Sequence, residues 1–358
     1  MTKLDSVALN LPPAPRSLCV LRLSAIGDTC HVVPLVHALQ RAWPDASITW
    51  VIGRTEARLM RLMSGIEFIT IDKSALWRSR RMLSAALRGR NFDVLLHLQT
   101  SLRSSLLSTC IRAPLRLGLD RARARELQWL FTNRQIAARS GQHMQEVALE
   151  FATALGLAPQ PPDWSLPLPD EARDWARAQI PDGARALVVS PCSSQSWRNW
   201  RSERYAAVIA HAVRECGMQA VLCTSPAADE RAIAADIERG CGVPVTNLAG
   251  QDTLPRLLAL LTRATALLTP DSGPAHMGTL AGLPVIGLYA CTRTARTGPY
   301  RSREYCVDRY AEAARRFRHC EPEALGWTED IREPGVMDLI EVTDVIGRLE
   351  AVLARRAA

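Results

Sequence analysis

Lysine is almost missing from this chain. Only Lys3 and Lys73 occur among 44 basic residues, so the net charge of +8 is an arginine charge. No apolar run approaches the roughly 18 residues that a bilayer-crossing helix needs, which excludes a helical membrane span. The first residues, MTKLDSVALNLPPAPRS, lack a secretory apolar core and read as a short disordered lead-in. Ten cysteines are present without one C-x-x-C pair. Most sit in apolar contexts, such as Cys19, Cys110 and Cys223, so they are expected to be reduced core thiols of a cytoplasmic protein. Cys306, His319 and Cys320 have poor spacing for zinc, and no metal is expected. No nucleic-acid-binding motif accompanies the basic charge, which disfavours DNA or RNA as a partner. Instead, 47% of the residues are hydrophobic and the mean hydropathy is near zero, as in a soluble globular protein. At 358 residues the chain is long enough for two domains.

The charge is uneven. Residues 1–165 hold 21 basic and 12 acidic side chains, an excess of nine; residues 166–358 hold 23 and 24, a deficit of one. The basic residues concentrate between Arg54 and Arg90 and between Arg103 and Arg139. Such a half attracts anionic lipid headgroups or an acidic substrate, or is simply an arginine-rich surface.

Strand and helix alternate along the first half. Leu18–Leu23, Ser47–Ile52, Phe68–Ile71, Val94–Leu98 and Leu115–Gly118 read as strands; Asp28–Trp43, Thr55–Met63 and Leu76–Arg88 read as helices. A βαβ series of this kind implies a parallel sheet with helices on both faces. The helix of residues 141–156 ends at Gly156, and APQPPDWSLPLPD comes next, with five prolines in thirteen residues. That stretch is the linker candidate. A second series then runs from Ala186–Ser190 through Gln219–Thr224 to the chain's most telling segment, Leu267–Ala290, before a last helix at Val342–Ala354. The prediction is α/β: two doubly wound domains, residues 1–163 and 164–358, with a cleft between them. Ligands in such sheets bind beyond the carboxyl ends of strands.

Three loops leave strands in the required way. Ser24-Ala25-Ile26-Gly27-Asp28 opens the first helix. Gly27 permits close approach of a ligand. Asp28 stands where an N-cap is expected, and reads either as that cap or as a general base. His31 shares its helix face or packs there. In the second half, Ser190 to Trp200 offers hydroxyls such as Ser193 together with Arg198, which pairs with a phosphate or stacks on Trp197 or Trp200. Finally, Asp271-Ser272-Gly273-Pro274 joins an apolar strand to a small-residue helix. Free N–H groups at that helix end favour a diphosphate. There Ser272 and Gly273 would cradle it, while Asp271 would repel it unless it caps the helix or meets another part of the ligand. His276 donates to phosphate or is a satisfied buried histidine. Thr292 and Arg296, in the next turn-rich loop, are candidate donors to the same ligand.

Together these residues resemble glycosyltransferase family 9, the ADP-heptose:lipopolysaccharide heptosyltransferases. The resemblance rests on VLRLSAIGD-x-x-H at Val20–His31, on the segment from Asp271 to Tyr289 that opens with D-S-G-x-x-H, and on R-T-G-P-Y at Arg296–Tyr300. The helix from His143 to Gly156 and the run Val336–Ile340 match in order as well. The resemblance implies a GT-B fold: an N-terminal Rossmann-like domain for the acceptor and a C-terminal one for the nucleotide-sugar. It implies inverting, metal-independent transfer of heptose from ADP-heptose to an anionic lipopolysaccharide core acceptor, without a cofactor. Asp28 matches the general base, with Gly27 and His31 on the acceptor side. Ser193, Arg198, Asp271, Ser272, Gly273, His276 and Thr292 fall on the donor side. Arg198 stands where heptosyltransferases commonly carry lysine, and CSSQSWRNW is not their usual loop, which leaves the donor sugar open. The implied place of action is the cytoplasmic face of the inner membrane, peripherally attached. Other readings are a family 9 transferase with a different donor or acceptor, a nucleotide- or glycan-binding protein without turnover, and a membrane-surface module.

Overall fold

The computed structural model describes residues 14–357. Residues 1–13 of the expected lead-in lie outside them. The chain divides into two compact units. Among the described residues, one comprises 14–140 and 145–163; the other comprises the short segment Gly141–Met144 and residues 164–357.

The first unit holds strands β1 (Ser17–Leu21), β2 (Ser47–Gly53), β3 (Ile66–Ile71), β4 (Val94–His97), β5 (Leu115–Gly118) and β6 (Arg134–Gln135). Its helices are α1 (Ile26–Ala42), α2 (Arg54–Met60), α3 (Leu76–Ala86), α4 (Leu102–Ser108) and α5 (Met144–Ala154). All neighbouring strands pair in parallel, in the order β3-β2-β1-β4-β5-β6. Leu18 to Leu21 are wholly buried, as the continuous apolar run of a strand covered on both faces requires. Cys19, Leu21, Val51 and Leu95 form a core with Leu83 of α3 and Leu107 of α4.

The second unit holds β7 (Ala186–Val189), β8 (Gln219–Leu222), β9 (Thr246–Asn247), β10 (Ala266–Pro270), β11 (Val285–Tyr289) and β12 (Val307–Asp308). Its helices are α6 (Asp170–Gln179), α7 (Ser202–Arg214), α8 (Ala228–Cys241), α9 (Leu254–Arg263), α10 (Gly273–Leu280), α11 (Thr294–Thr297), α12 (Tyr310–Arg318) and α13 (Val342–Ala357). The sheet order is β12-β11-β10-β7-β8-β9, again all parallel. Counted from its own first strand, this is the same doubly wound order as in the first unit. The order reverses between β1 and β4 in one sheet and between β7 and β10 in the other. In each unit, the loops leaving its two strands at that point flank the crevice where such a sheet binds ligands.

Glycine has two distinct tasks around α10. Gly282 turns the chain from α10 into β11 with φ of +68°. Gly278 lets α10 lie close on the sheet: a Cβ there would meet Cγ2 of Val285 at 2.4 Å. Gly278→Ala should therefore lower stability by about 1–3 kcal/mol through overpacking. Urea unfolding with an unchanged slope would show it; a wild-type midpoint would contradict the close packing.

All ten cysteines are free and seven are buried; Cys110, expected in the core, is only half-buried, as are Cys216 and Cys320. Burial pushes the Cys192 and Cys291 thiols up to about 12 and Cys241 to about 11, so they are unreactive near neutral pH. Among the described residues, no group of three His, Cys, Asp or Glu side chains is placed to hold a metal ion. No helix among them is long and apolar enough to cross a membrane.

Candidate active site

In the first unit, α1 begins two residues earlier than the sequence suggests. Ala25 is the N-cap, and Asp28 is the third helical residue rather than the cap. Its carboxylate reaches back and accepts the Ala25 N–H at 3.0 Å, satisfying one of the donors that a helix start leaves open. The same oxygen meets the Arg22 guanidinium at 2.5 Å. Arg22 is itself fixed, since its Nη1 donates to the Leu98 carbonyl at 2.7 Å. Its own carbonyl accepts the indole N–H of the wholly buried Trp50 at 3.1 Å. Gln99, beyond β4, accepts the N–H groups of Leu23 and Ser24 at 3.0 and 3.3 Å. The loops beyond β1 and β4 are thus tied across the point where the strand order reverses.

These contacts set the charge on Asp28. Burial opposes its ionisation, but the Arg22 guanidinium, the Ala25 N–H and nearby His31 outweigh it. The carboxyl lies below the ordinary aspartate value of 3.8. Asp28 is therefore anionic at neutral pH, with about a third of its side chain open to solvent. Gly27 is buried in the same first turn. His31 is buried too; its Nδ1 lies 3.2 Å from Oε1 of Gln145, and the Gln145 amide donates to the His31 carbonyl at 3.1 Å. The histidine thus joins α1 to α5. His97 is also buried, and burial, reinforced by Arg116, pushes it down to about 3, so it is neutral.

In the second unit the centre is Asp271, just beyond β10. Its Oδ2 lies 3.0 Å from Nη1 of Arg198 and accepts the Thr292 hydroxyl at 2.8 Å. The Thr297 hydroxyl stands 3.5 Å away. Burial raises the Asp271 carboxyl, and the Arg198 charge and Thr292 hydroxyl only partly offset this. Asp271 does not cap α10. Ser272 occupies the cap position, and its hydroxyl pairs with Thr269 at 2.8 Å rather than with the helix N–H groups. Gly273 and Pro274 then form the first turn, so the backbone donors there carry no side-chain cap. His276 lies buried one turn along.

The loop beyond β7 closes on this point. Ser193 donates to the Asp271 carbonyl at 3.0 Å, and its N–H donates to Asn199 at 2.7 Å. Of the two roles left open by the sequence, Arg198 shows the stacking, over Trp197 at 4.6 Å, and its guanidinium pairs with Asp271. Its other terminal nitrogen lies 3.7 Å from Asp330. Ser193, Arg198, Asp271, Ser272 and Thr292 therefore converge, while Gly273 and His276 continue from them along α10.

Several members of this neighbourhood carry no signal of their own in the sequence. Asp330 joins the cluster from a distant loop, and Thr297, though inside R-T-G-P-Y, gives no sign in the sequence that it reaches Asp271. Residue His143 holds the Gly298 carbonyl at 2.8 Å and packs against Tyr300, with ring centroids 5.0 Å apart. It thereby fixes the R-T-G-P-Y loop. His143 was visible only as the start of a helix, and its hydrogen bond spans 155 residues of sequence.

The profile of glycosyltransferase family 9 (heptosyltransferase) matches residues 80–325. The chain is 36% identical over 337 residues to the lipopolysaccharide core heptosyltransferase OpsX of Haemophilus influenzae, covering 94% of this chain and 97% of that protein. Among solved structures, a family 9 glycosyl transferase from Veillonella parvula superposes with a TM-score of 0.77 at 21% identity, over 95% of this chain and 97% of that one. The E. coli heptosyltransferase WaaC, solved with ADP, gives 0.70 at 20% identity, over 94% and 99%. These two likenesses speak for the fold, which is GT-B. Taken with the profile match and the Haemophilus relative, they show that this chain belongs to glycosyltransferase family 9.

Proposed function

We propose that this glycosyltransferase moves heptose from ADP-heptose to a lipopolysaccharide core acceptor, with inversion and without a metal ion. The observation that carries the reading is Asp28, an anionic carboxylate held by Arg22 at the carboxyl end of the central strand of its sheet. The first unit binds the acceptor, where Gly27 and His31 shape the ground beside Asp28. The second unit binds the donor through Ser193, Arg198, Ser272, Gly273, His276 and Thr292, with Asp271 holding Arg198 and Thr292 in place.

In the reaction, the acceptor hydroxyl gives its proton to Asp28 as its oxygen bonds to the anomeric carbon. The bond from that carbon to the diphosphate oxygen breaks, and ADP leaves with the electron pair. Arg198 and the first N–H groups of α10 stabilise the charge that develops on ADP. The relatives' names support the sugar and the acceptor class: one is a lipopolysaccharide core heptosyltransferase, another a heptosyltransferase solved with ADP. An acceptor of that class lies in a membrane, so the enzyme works at the cytoplasmic membrane surface.

Release of ADP from ADP-heptose, dependent on a heptose-free core acceptor, tests the proposal directly. Release only with another nucleotide-sugar would reassign the donor. A second measurement addresses Asp28. Since the base must be ionised, its acid limb in kcat/KM lies below pH 3.8 in the wild type. Arg22→Gln removes the largest effect that lowers this carboxyl and leaves only the Ala25 N–H and His31 against burial, so the limb should move to higher pH. An unmoved limb would mean that Asp28 is not the titrating base.

A further inference from the structure

All five large apolar side chains that stand exposed among the described residues fall in one stretch of the first unit: Trp77, Met82, Leu102, Leu127 and Leu130. Trp77 is 73% exposed and Leu130 58%. They sit on α3, on α4, on the short 3-10 turn Gln128–Phe131 and, for Leu127, just before that turn. These elements are contiguous, since α3 packs on α4 and α4 packs on the turn.

The chain's charge sits there too. Residues 76–131 contain eleven arginines against Asp93, Asp120 and Glu126, an excess of eight that equals the net charge of the whole protein. On α3, Ser79 and Leu83 are buried, while Trp77, Arg78, Arg81 and Met82 are exposed on the opposite side. Trp77 and Arg81 are one turn apart, as are Arg78 and Met82, so apolar and cationic side chains alternate on one face. Among the described residues no carboxylate forms an ion pair with Arg78, Arg80, Arg81 or Arg88. Arg121 lies over the Trp129 ring at 3.7 Å, beside Leu127 and Leu130. An outward helical face of arginine with tryptophan, methionine and leucine is the composition that lies in a headgroup layer.

We propose that this face docks on an anionic bilayer. Its apolar side chains enter the headgroup layer and its arginines meet the lipid phosphates. The inference deepens the reading of a membrane-borne acceptor and rests on it for its purpose. Topology supplies the link: α3 comes after β3, α4 after β4, and the 3-10 turn lies in the connection after β5. All three begin from the carboxyl edge of the sheet, the edge that carries Asp28. A bilayer held there presents an acceptor's sugars on the side of the base.

The test is flotation of the full-length protein with vesicles that contain no acceptor. Binding is expected to phosphatidylcholine mixed with phosphatidylglycerol and not to phosphatidylcholine alone, with release by added salt. Replacing Arg78, Arg80 and Arg81 together by Gln should weaken binding at least about tenfold, each arginine near the surface being worth roughly fivefold. Trp77→Ser with Leu130→Ser should weaken it by about tenfold while keeping the salt dependence. Both variants should release ADP normally with a deacylated, water-soluble acceptor and poorly with the same acceptor in vesicles. Equal binding to neutral vesicles, or variants that float like the wild type, would overturn the proposal. So would a dimer in solution that these variants dissociate, or tighter binding to an RNA oligomer than to the anionic vesicles. Failure of the unaltered protein to release ADP would strike the transferase reading alone, because flotation is measured without acceptor.

Discussion

Asp28→Asn is expected to lose about 10³-fold in turnover while binding ADP as the wild type does. Asparagine has the same shape, and its carbonyl oxygen can still accept the Ala25 N–H that starts α1. Arg22 keeps its bond to the Leu98 carbonyl, so the loop beyond β1 stays tied to the loop beyond β4. The ion pair itself adds little to folding, because Asp28 is about one-third exposed and water screens it. What the substitution removes is the carboxylate proposed to take the acceptor's proton. Turnover should therefore fall with KM for the donor nearly unchanged, the signature of an interaction made only in the transition state. Calorimetric titration with ADP and single-turnover transfer from ADP-heptose measure the two halves of this statement. A loss below tenfold would reduce Asp28 to a residue that satisfies a helix start.

That ambiguity shows what sequence can and cannot separate. Asp28 comes after a strand and before an apolar helix, and the position alone suggests an N-cap. The turn instead places Ala25 at the cap, and Asp28 bonds backwards from the third position. The apolar strand β4 was legible because it is buried throughout, and β5 occupies the expected residues although its first two are half-buried. By contrast β6, β9 and β12 are two residues each, too short to show any period. Helix α4 reads LRSSLLS, and its serines look like loop until Ser101 is seen to cap it. Helix α6 comes directly after the proline-rich stretch and is polar apart from its alanines and Trp175, so its pattern is faint. At the site, Asp271, Ser272 and His276 stand in one motif and were visible together. Arg198 and Thr292 were visible as donor-side residues but not as partners of Asp271, and Asp330 was not visible at all, because these contacts arise by tertiary folding alone.

Arg198→Ala should show two losses that a second substitution can separate. The first is kinetic. Without the guanidinium, the charge developing on the leaving diphosphate loses its main side-chain donor, a loss of about 10²–10³ in kcat. The second concerns folding. Asp271 is buried, and removing its cationic partner leaves an uncompensated carboxylate, at a cost of about 3–5 kcal/mol. Some of that cost is relieved because the Asp271 carboxyl is already raised and can take up a proton, and because Thr292 still donates to it. Arg198→Lys keeps the charge but not the fork. One ammonium cannot span Asp271 and Asp330 while stacking on Trp197, so some rate is lost, by about tenfold. The informative variant is Arg198→Ala combined with Asp271→Asn. Removing the orphaned charge should return the urea midpoint towards that of the wild type, while ADP release stays as slow as in Arg198→Ala. If the pair of substitutions restores both, Arg198 serves only to neutralise Asp271, and the charge on the departing ADP must be met by the N–H groups of α10 and by Arg296.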